Sequence, residues 1–98
     1  MSVQFYPVLR QFFGAYLNAE WPEEYGSPLA AAAAYAAETP TPRRHAAIAE
    51  IDALVATGSD ASALATVIEA LGCEYVLDPA VDDPLAFLRI IRATLASA

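Results

Sequence analysis

Lysine is missing altogether from this sequence, and cysteine, tryptophan and histidine occur once each. Five arginines stand against twelve Asp and Glu, which leaves a net charge of -7 and an isoelectric point near 4.3. Phosphate contacts need a basic face, so unaided binding to nucleic acid is disfavoured. The single cysteine, Cys73, excludes an internal disulfide and agrees with a reducing cytosol. The single histidine, His45, has no second histidine nearby and no cysteine partner, so a zinc site is not expected. Long apolar runs are missing too. Leu29 to Ala37, the longest stretch of small apolar residues, falls far short of the ~20 needed to span a bilayer. The amino terminus has no basic region before an apolar stretch, as a secretory signal would. These features read as one soluble, cytoplasmic domain over residues 1–98.

Catalytic signatures are equally sparse. No Ser-His-Asp spacing and no glycine-rich phosphate loop occurs. Cys73 follows the glycine that ends a helix, the position of a small core residue rather than a reactive thiol. The acids of D-P-A-V-D-D lack the alternating spacing and the glycine of a calcium loop, and read as solvated loop and helix-cap groups. No enzyme activity, cofactor or metal is expected.

What is present is helix-forming. Apolar residues make up 57% of the chain, and the mean hydropathy of +0.38 owes much to alanine. Helical spacing predicts a first helix from about Tyr6 to Leu17, with Pro7 in its first turn and Val8, Leu9, Phe12, Phe13, Tyr16 and Leu17 on a wide apolar stripe. Phe5 can staple against that face. The width of the stripe places this helix near the centre. Ser27-Pro28 caps and opens a second helix to Glu38, whose alanines admit a close neighbour while Leu29 and Tyr35 add bulk. Thr39-Pro40-Thr41-Pro42 breaks it. A third helix takes Thr41 as N-cap and runs to about Thr57, with Ile48, Ile51, Leu54 and Val55 inward and Gly58 closing it. Arg43 and Arg44 sit in its first turn, where the helix dipole disfavours cations. Pairing with Glu20–Glu24 or Asp78–Asp83 is the tertiary explanation to test. A fourth helix is capped by Ser59 or Asp60, carries Leu64, Val67, Ile68 and Leu71, and stops at Gly72. Residues 73–77 can be extended, although one short run makes no sheet. Asp83 caps and Pro84 opens a fifth helix facing Phe87, Leu88, Ile91 and Leu95 inward. The expected fold is all-α, a bundle of about five helices with short Pro/Gly-punctuated connections.

The connector Y-L-N-A-E-W-P-E-E-Y-G-S, Tyr16 to Ser27, concentrates aromatic area and negative charge. Burying the Trp21 indole hides roughly 150–250 Å², worth about 4–6 kcal/mol at most. Tyr16, Glu20 and Trp21 read as structural, with Trp21 plugging the core. The other reading of Trp21 is an exposed anchor ringed by charge, as interface hot spots are built. Glu23, Glu24 and Tyr25 read as an exposed contact surface. A second acidic cluster, Glu74, Asp78, Asp82 and Asp83, is equally eligible. Such charge suggests a basic partner reached by electrostatic steering, or serves only solubility. An acyl-carrier or adaptor role is the alternative, since carriers are also small, acidic and helical. They place serine directly after aspartate at a helix start. Gly58-Ser59-Asp60-Ala61-Ser62 displaces the serine by one residue, about 100° round the helix.

These residues resemble the immunity proteins of bacterial contact-dependent growth inhibition systems. The similarity starts in P-V-L-R-Q-F-F-G-A-Y-L and continues through Tyr16, Glu20, Trp21 and Glu24-Tyr25-Gly26-Ser27-Pro28. It resumes at Leu71-Gly72-Cys73-Glu74-Tyr75 and ends in the Phe87-Leu88 helix. Glu20 stands where the family usually has Asp, and Leu17 where it often has an aromatic. The resemblance implies a cytosolic, non-enzymatic inhibitor of the toxin domain at the carboxyl end of a large exported protein. Such toxins are frequently nucleases, and an acidic protein suits the cationic surface that a nuclease needs to hold phosphate. Contacts vary among relatives. The assignment of Glu23, Glu24, Tyr25, Asp78, Asp82 and Asp83 to toxin binding therefore rests on charge and expected exposure.

Overall fold

The computed structural model describes residues 6–18, 23, 25–75, 77 and 82–97. Among the described residues are five helices and no strand: α1 (Pro7–Tyr16), α2 (Pro28–Glu38), α3 (Thr41–Ala56), α4 (Ala61–Ala70) and α5 (Pro84–Ala96). The chain is an all-α bundle. Proline opens α1, α2, α3 and α5 within their first two positions, where a missing N–H costs nothing. Local caps follow the sequence closely. Ser27 Oγ accepts from the Ala30 N–H at 3.1 Å, and Asp83 Oδ1 accepts from Leu85 and Ala86 at 3.0 and 3.3 Å. Of the two candidates before α4, Asp60 is the cap, with Oδ1 accepting from Ala63 at 2.9 Å. The Ser59 hydroxyl pairs instead with the Thr57 hydroxyl.

At α3 the cap differs from the one expected. Pro40, not Thr41, is the N-cap, and its carbonyl accepts from both Arg43 and Arg44. Pro40 can offer no capping side chain, while Thr41, already helical, uses its hydroxyl to accept from Arg44 Nη2 at 2.7 Å. Arg44 thus finds a partner in its own turn. Of the acids proposed for it, Glu20, Glu24 and Asp78 lie outside the described residues, as do Phe5 and Trp21, and among the described residues neither Glu23 nor Asp83 forms an ion pair with it.

The C-terminal turn of α4 explains Gly72. Gly72 N–H donates to Glu69 C=O and Cys73 N–H to Ile68 C=O, the paired bonds of a Schellman motif. The motif needs a left-handed residue, and Gly72 has φ of 98°.

Tyr6, Leu9, Phe12, Phe13 and Leu17 bury the stripe of α1 and its flanks. Phe12 meets Tyr35 of α2 with ring centroids 4.9 Å apart, and Tyr16 meets the same ring edge-on at 5.2 Å. The central position nevertheless belongs to α5. It packs along α2 and α3 and also against α4, burying Leu88, Ile91 and Leu95. Alanines 31, 32 and 36 are buried on α2, so α5 approaches closely enough for a narrow apolar stripe to suffice. Leu29, expected to supply bulk, is instead 52% exposed.

Candidate functional site

Two acidic segments are tied together at one junction. The Glu74 N–H donates to the Leu17 carbonyl at 2.7 Å, tying the loop after α4 to the end of α1. Gly72, in the turn after α4, faces the Gly14 backbone of α1 closely enough that an alanine methyl there would make ordinary contact at 3.8 Å. The connector carrying Glu23 and Tyr25 starts at this point, and so does the segment leading to Asp82 and Asp83. Sequence spacing shows neither relation, because the partners are more than fifty residues apart.

On the connector side, Glu23 is exposed. Tyr25 is half-buried, its ring stacked on Tyr16 with centroids 5.7 Å apart. The Tyr16 hydroxyl reaches Glu38 Oε2 at 3.3 Å. Burial raises the Tyr16 pKa above its ordinary value, and the neighbouring Glu38 charge adds to the shift. Tyr16 therefore belongs to the aromatic cluster of α1 and α2. Glu38 joins this acidic side unforeseen; the signal was its place in the last turn of α2, beside a tyrosine at the end of the preceding helix.

On the other side, Asp83 is exposed but has one carboxylate oxygen committed to capping α5, and Asp82 is half-buried. Glu69, which the sequence did not single out, joins Glu74 at the mouth of a cavity of about 110 Å³. Both glutamates are exposed, and no described residue forms an ion pair with either side chain. Ile68, Cys73, Tyr75 and Leu77 line the cavity, and the Tyr75 ring stacks on Phe87 at 5.5 Å. The i, i+5 step from Glu69 to Glu74 across a glycine stop was the signal that could have found this pair.

Cys73 is buried, and its Sγ lies 3.5 Å from the Tyr75 carbonyl oxygen. Burial pushes its thiol up to about 11, so the nucleophilic thiolate is disfavoured near neutral pH. His45 is exposed on α3. Among the described residues no group of three His, Cys, Asp or Glu side chains gathers to hold a metal, and no helix is long and apolar enough to cross a membrane.

The arrangement leaves the Glu23, Glu69, Glu74 and Asp83 carboxylates exposed. Comparison with known families decides the setting: the sequence model described as CdiI immunity protein matches residues 5–95. The chain belongs to that family. Its role is toxin-neutralising immunity, and its partner is a cognate toxin of a contact-dependent growth inhibition system. No curated protein and no solved structure matches the chain. The match runs from the residue before α1 is capped to the last turn of α5, so this immunity protein places both acidic segments within the family's span.

Proposed function

We propose that this immunity protein neutralises the carboxyl-terminal toxin domain of its cognate exported protein by one-to-one occlusion, using its acidic surface rather than any catalysis. Glu23, Tyr25, Asp82 and Asp83 form the contact surface, joined on sequence grounds by Glu24 and Asp78. The toxin domain is a basic nuclease, whose phosphate-holding Lys and Arg side chains are what carboxylates occupy. The protein acts in the bacterial cytoplasm as a single domain, without a cofactor and without contacting nucleic acid or membrane.

The observation carrying this reading is the Glu74–Leu17 hydrogen bond, which starts both acidic segments from one end of a bundle with a net charge of -7. A field of that sign accelerates encounter with a cationic partner. The test is stopped-flow association with the cognate toxin domain from low salt to ~1 M, where the screening length contracts from about 10 Å at 0.1 M to about 3 Å. The on-rate is expected to fall steeply. An on-rate indifferent to salt would remove the acidic interface while leaving immunity by another surface intact.

A further inference from the structure

Exposed apolar surface gathers on one face of the bundle, between α2 and α5. Among the described residues, Leu29 and Ile90 are the large hydrophobics left exposed, at 52% and 53%. Leu29 stands one turn before Ala33 on α2, and Ile90 one turn before Thr94 on α5. Residues at that step share a helix face, and the two helices pack along each other. Ala33, Ala37, Thr94 and Ser97 line an open groove of about 500 Å³ with mostly apolar walls, within the roughly 300–1,000 Å³ of ligand sites. Thr39 and Arg44 bound it beyond the end of α2. Arg44 is the charged member of the described lining. It is half-buried, and its Nε has no hydrogen-bond partner among the described residues. Neither Arg44 nor the exposed Arg43 beside it is ion-paired with a described acid. Buried donors normally have acceptors, so this cation stands short of partners.

Large apolar side chains left exposed on a single face mark a contact site, and the cation beside them fixes the sign of what comes to it. We infer that the α2–α5 groove receives a segment of the toxin domain carrying apolar side chains and one carboxylate. The apolar side chains pack against Leu29, Ile90 and the alanine floor, and the carboxylate meets Arg44. A guanidinium offers a carboxylate two parallel N–H bonds, which supplies the counter-charge that Arg44 lacks. A domain that is basic overall still carries Asp and Glu on its surface. The inference rests on the toxin being the partner, and not on the acidic interface: none of its residues is assigned there, and its charge has the other sign.

The experiment compares binding of the cognate toxin domain to wild type, Ala33→Glu and Arg44→Met, with Glu23→Lys as reference. Ala33→Glu places bulk and a repelling charge in the groove at an exposed helical position. Arg44→Met removes the cation and keeps an aliphatic stem. Each is expected to raise Kd about tenfold or more, mainly through a faster off-rate, with the helical signal unchanged. Should Arg44→Met prove poorly folded, Ala33→Glu and the following probe decide. N-acetyl-leucine, with its free carboxylate, should give saturable amide shifts at residues 33–44 and 94–97 in wild type and none in Ala33→Glu. N-acetyl-leucine amide should give none in either. Wild-type toxin affinity in Ala33→Glu overturns the groove, and equal shifts with acid and amide overturn the carboxylate. Wild type that dimerises, with the dimer dissolved by Ala33→Glu, gives the groove to a second copy and overturns the toxin segment. If Glu23→Lys alone weakens the complex, the acidic interface stands and the groove falls; if only the groove variants weaken it, the reverse holds.

Discussion

The Glu50 carboxylate caps a helix it does not belong to: Oε1 accepts from the Leu9 N–H at 2.9 Å. The Val8 N–H reaches both oxygens of the same group, at 3.0 and 3.1 Å. Tyr6, at the N-cap of α1, has no side-chain cap of its own, so an acid on α3 satisfies the first-turn donors and meets the positive end of the helix dipole. This contact fixes α1 on α3 by polarity as well as packing.

Glu50→Ala should therefore destabilise the fold by about 1–2 kcal/mol, the usual cost of losing an N-cap. In a chain of this size that lowers the melting midpoint by roughly 4–8 °C per kcal/mol. Glu50→Gln keeps an acceptor and should lose less. Urea denaturation of the three proteins checks the order, and equal midpoints would show that the cap contributes nothing.

Tyr35 gives a prediction of opposite sign. Its hydroxyl is buried without a hydrogen-bond partner, although Thr39 and Arg43 lie near enough to temper the upward pKa shift that burial causes. Removing an unsatisfied buried hydroxyl relieves a desolvation cost of about 1–3 kcal/mol. Tyr35→Phe should leave stability unchanged or raise it, whereas Phe12→Ala in the same cluster should cost about 3–5 kcal/mol. A clear loss on Tyr35→Phe would reveal a bound water or partner at that oxygen.

Cys73 sets an alkaline limit. Its thiol titrates at 9.0 unfolded and is pushed up to about 11 by burial in the fold. The raised value means the folded state holds the proton more tightly. The associated stability is complete below pH 9 and is lost as the pH climbs to about 11. Cys73→Ser or Cys73→Ala should flatten stability over that window, and thiol-reagent labelling of the native protein at pH 8 should be slow until denaturant is added. Rapid labelling of the folded protein would contradict the burial.

The contact between α3 and α5 titrates at the acid end. Arg92 Nε donates to Asp52 Oδ1 at 2.6 Å and Nη2 to Oδ2 at 3.1 Å, and this bond holds the Asp52 carboxyl below its ordinary 3.8. A depressed value contributes above the unfolded pKa and is lost as pH falls through the folded one. Both side chains are about half exposed, so the contribution to stability is small. An NMR titration should find the Asp52 midpoint below 3.8, and Arg92→Ala should return it there; an unchanged midpoint in that variant would dissolve the pair.

Gly72 tests the turn that shapes the cavity. At φ 98° an alanine carries backbone strain of about 1–2 kcal/mol, while its methyl group would meet Gly14 only at ordinary contact distance. Gly72→Ala should lose that much stability, read as a lower urea midpoint, while leaving toxin binding by the folded protein unchanged. Loss of binding without loss of stability would assign the glycine to the interface directly.

Helix boundaries were legible because their signals are local: Pro7, Pro28 and Pro84, the caps Ser27, Asp60 and Asp83, and the stops Gly58 and Gly72 act on neighbours within four residues. The apolar faces were legible for the same reason, since a 3.6-residue period is written along the chain. The missed N-cap at Pro40 shows the limit of such signals where two prolines compete. The acids Glu23, Asp82 and Asp83 could be named from composition, but Glu69 and Glu74 line one cavity because a glycine stop turns the chain after α4. What sequence alone determined is the all-α class, the acidic character and the family, each a sum over short-range choices. What only the tertiary structure decided is who meets whom at long range: Glu50 on α1, Glu74 on Leu17, Arg92 on Asp52, and α5 rather than α1 at the centre. Those pairings depend on how closely alanine-faced helices approach, a property of three-dimensional packing that no single segment encodes.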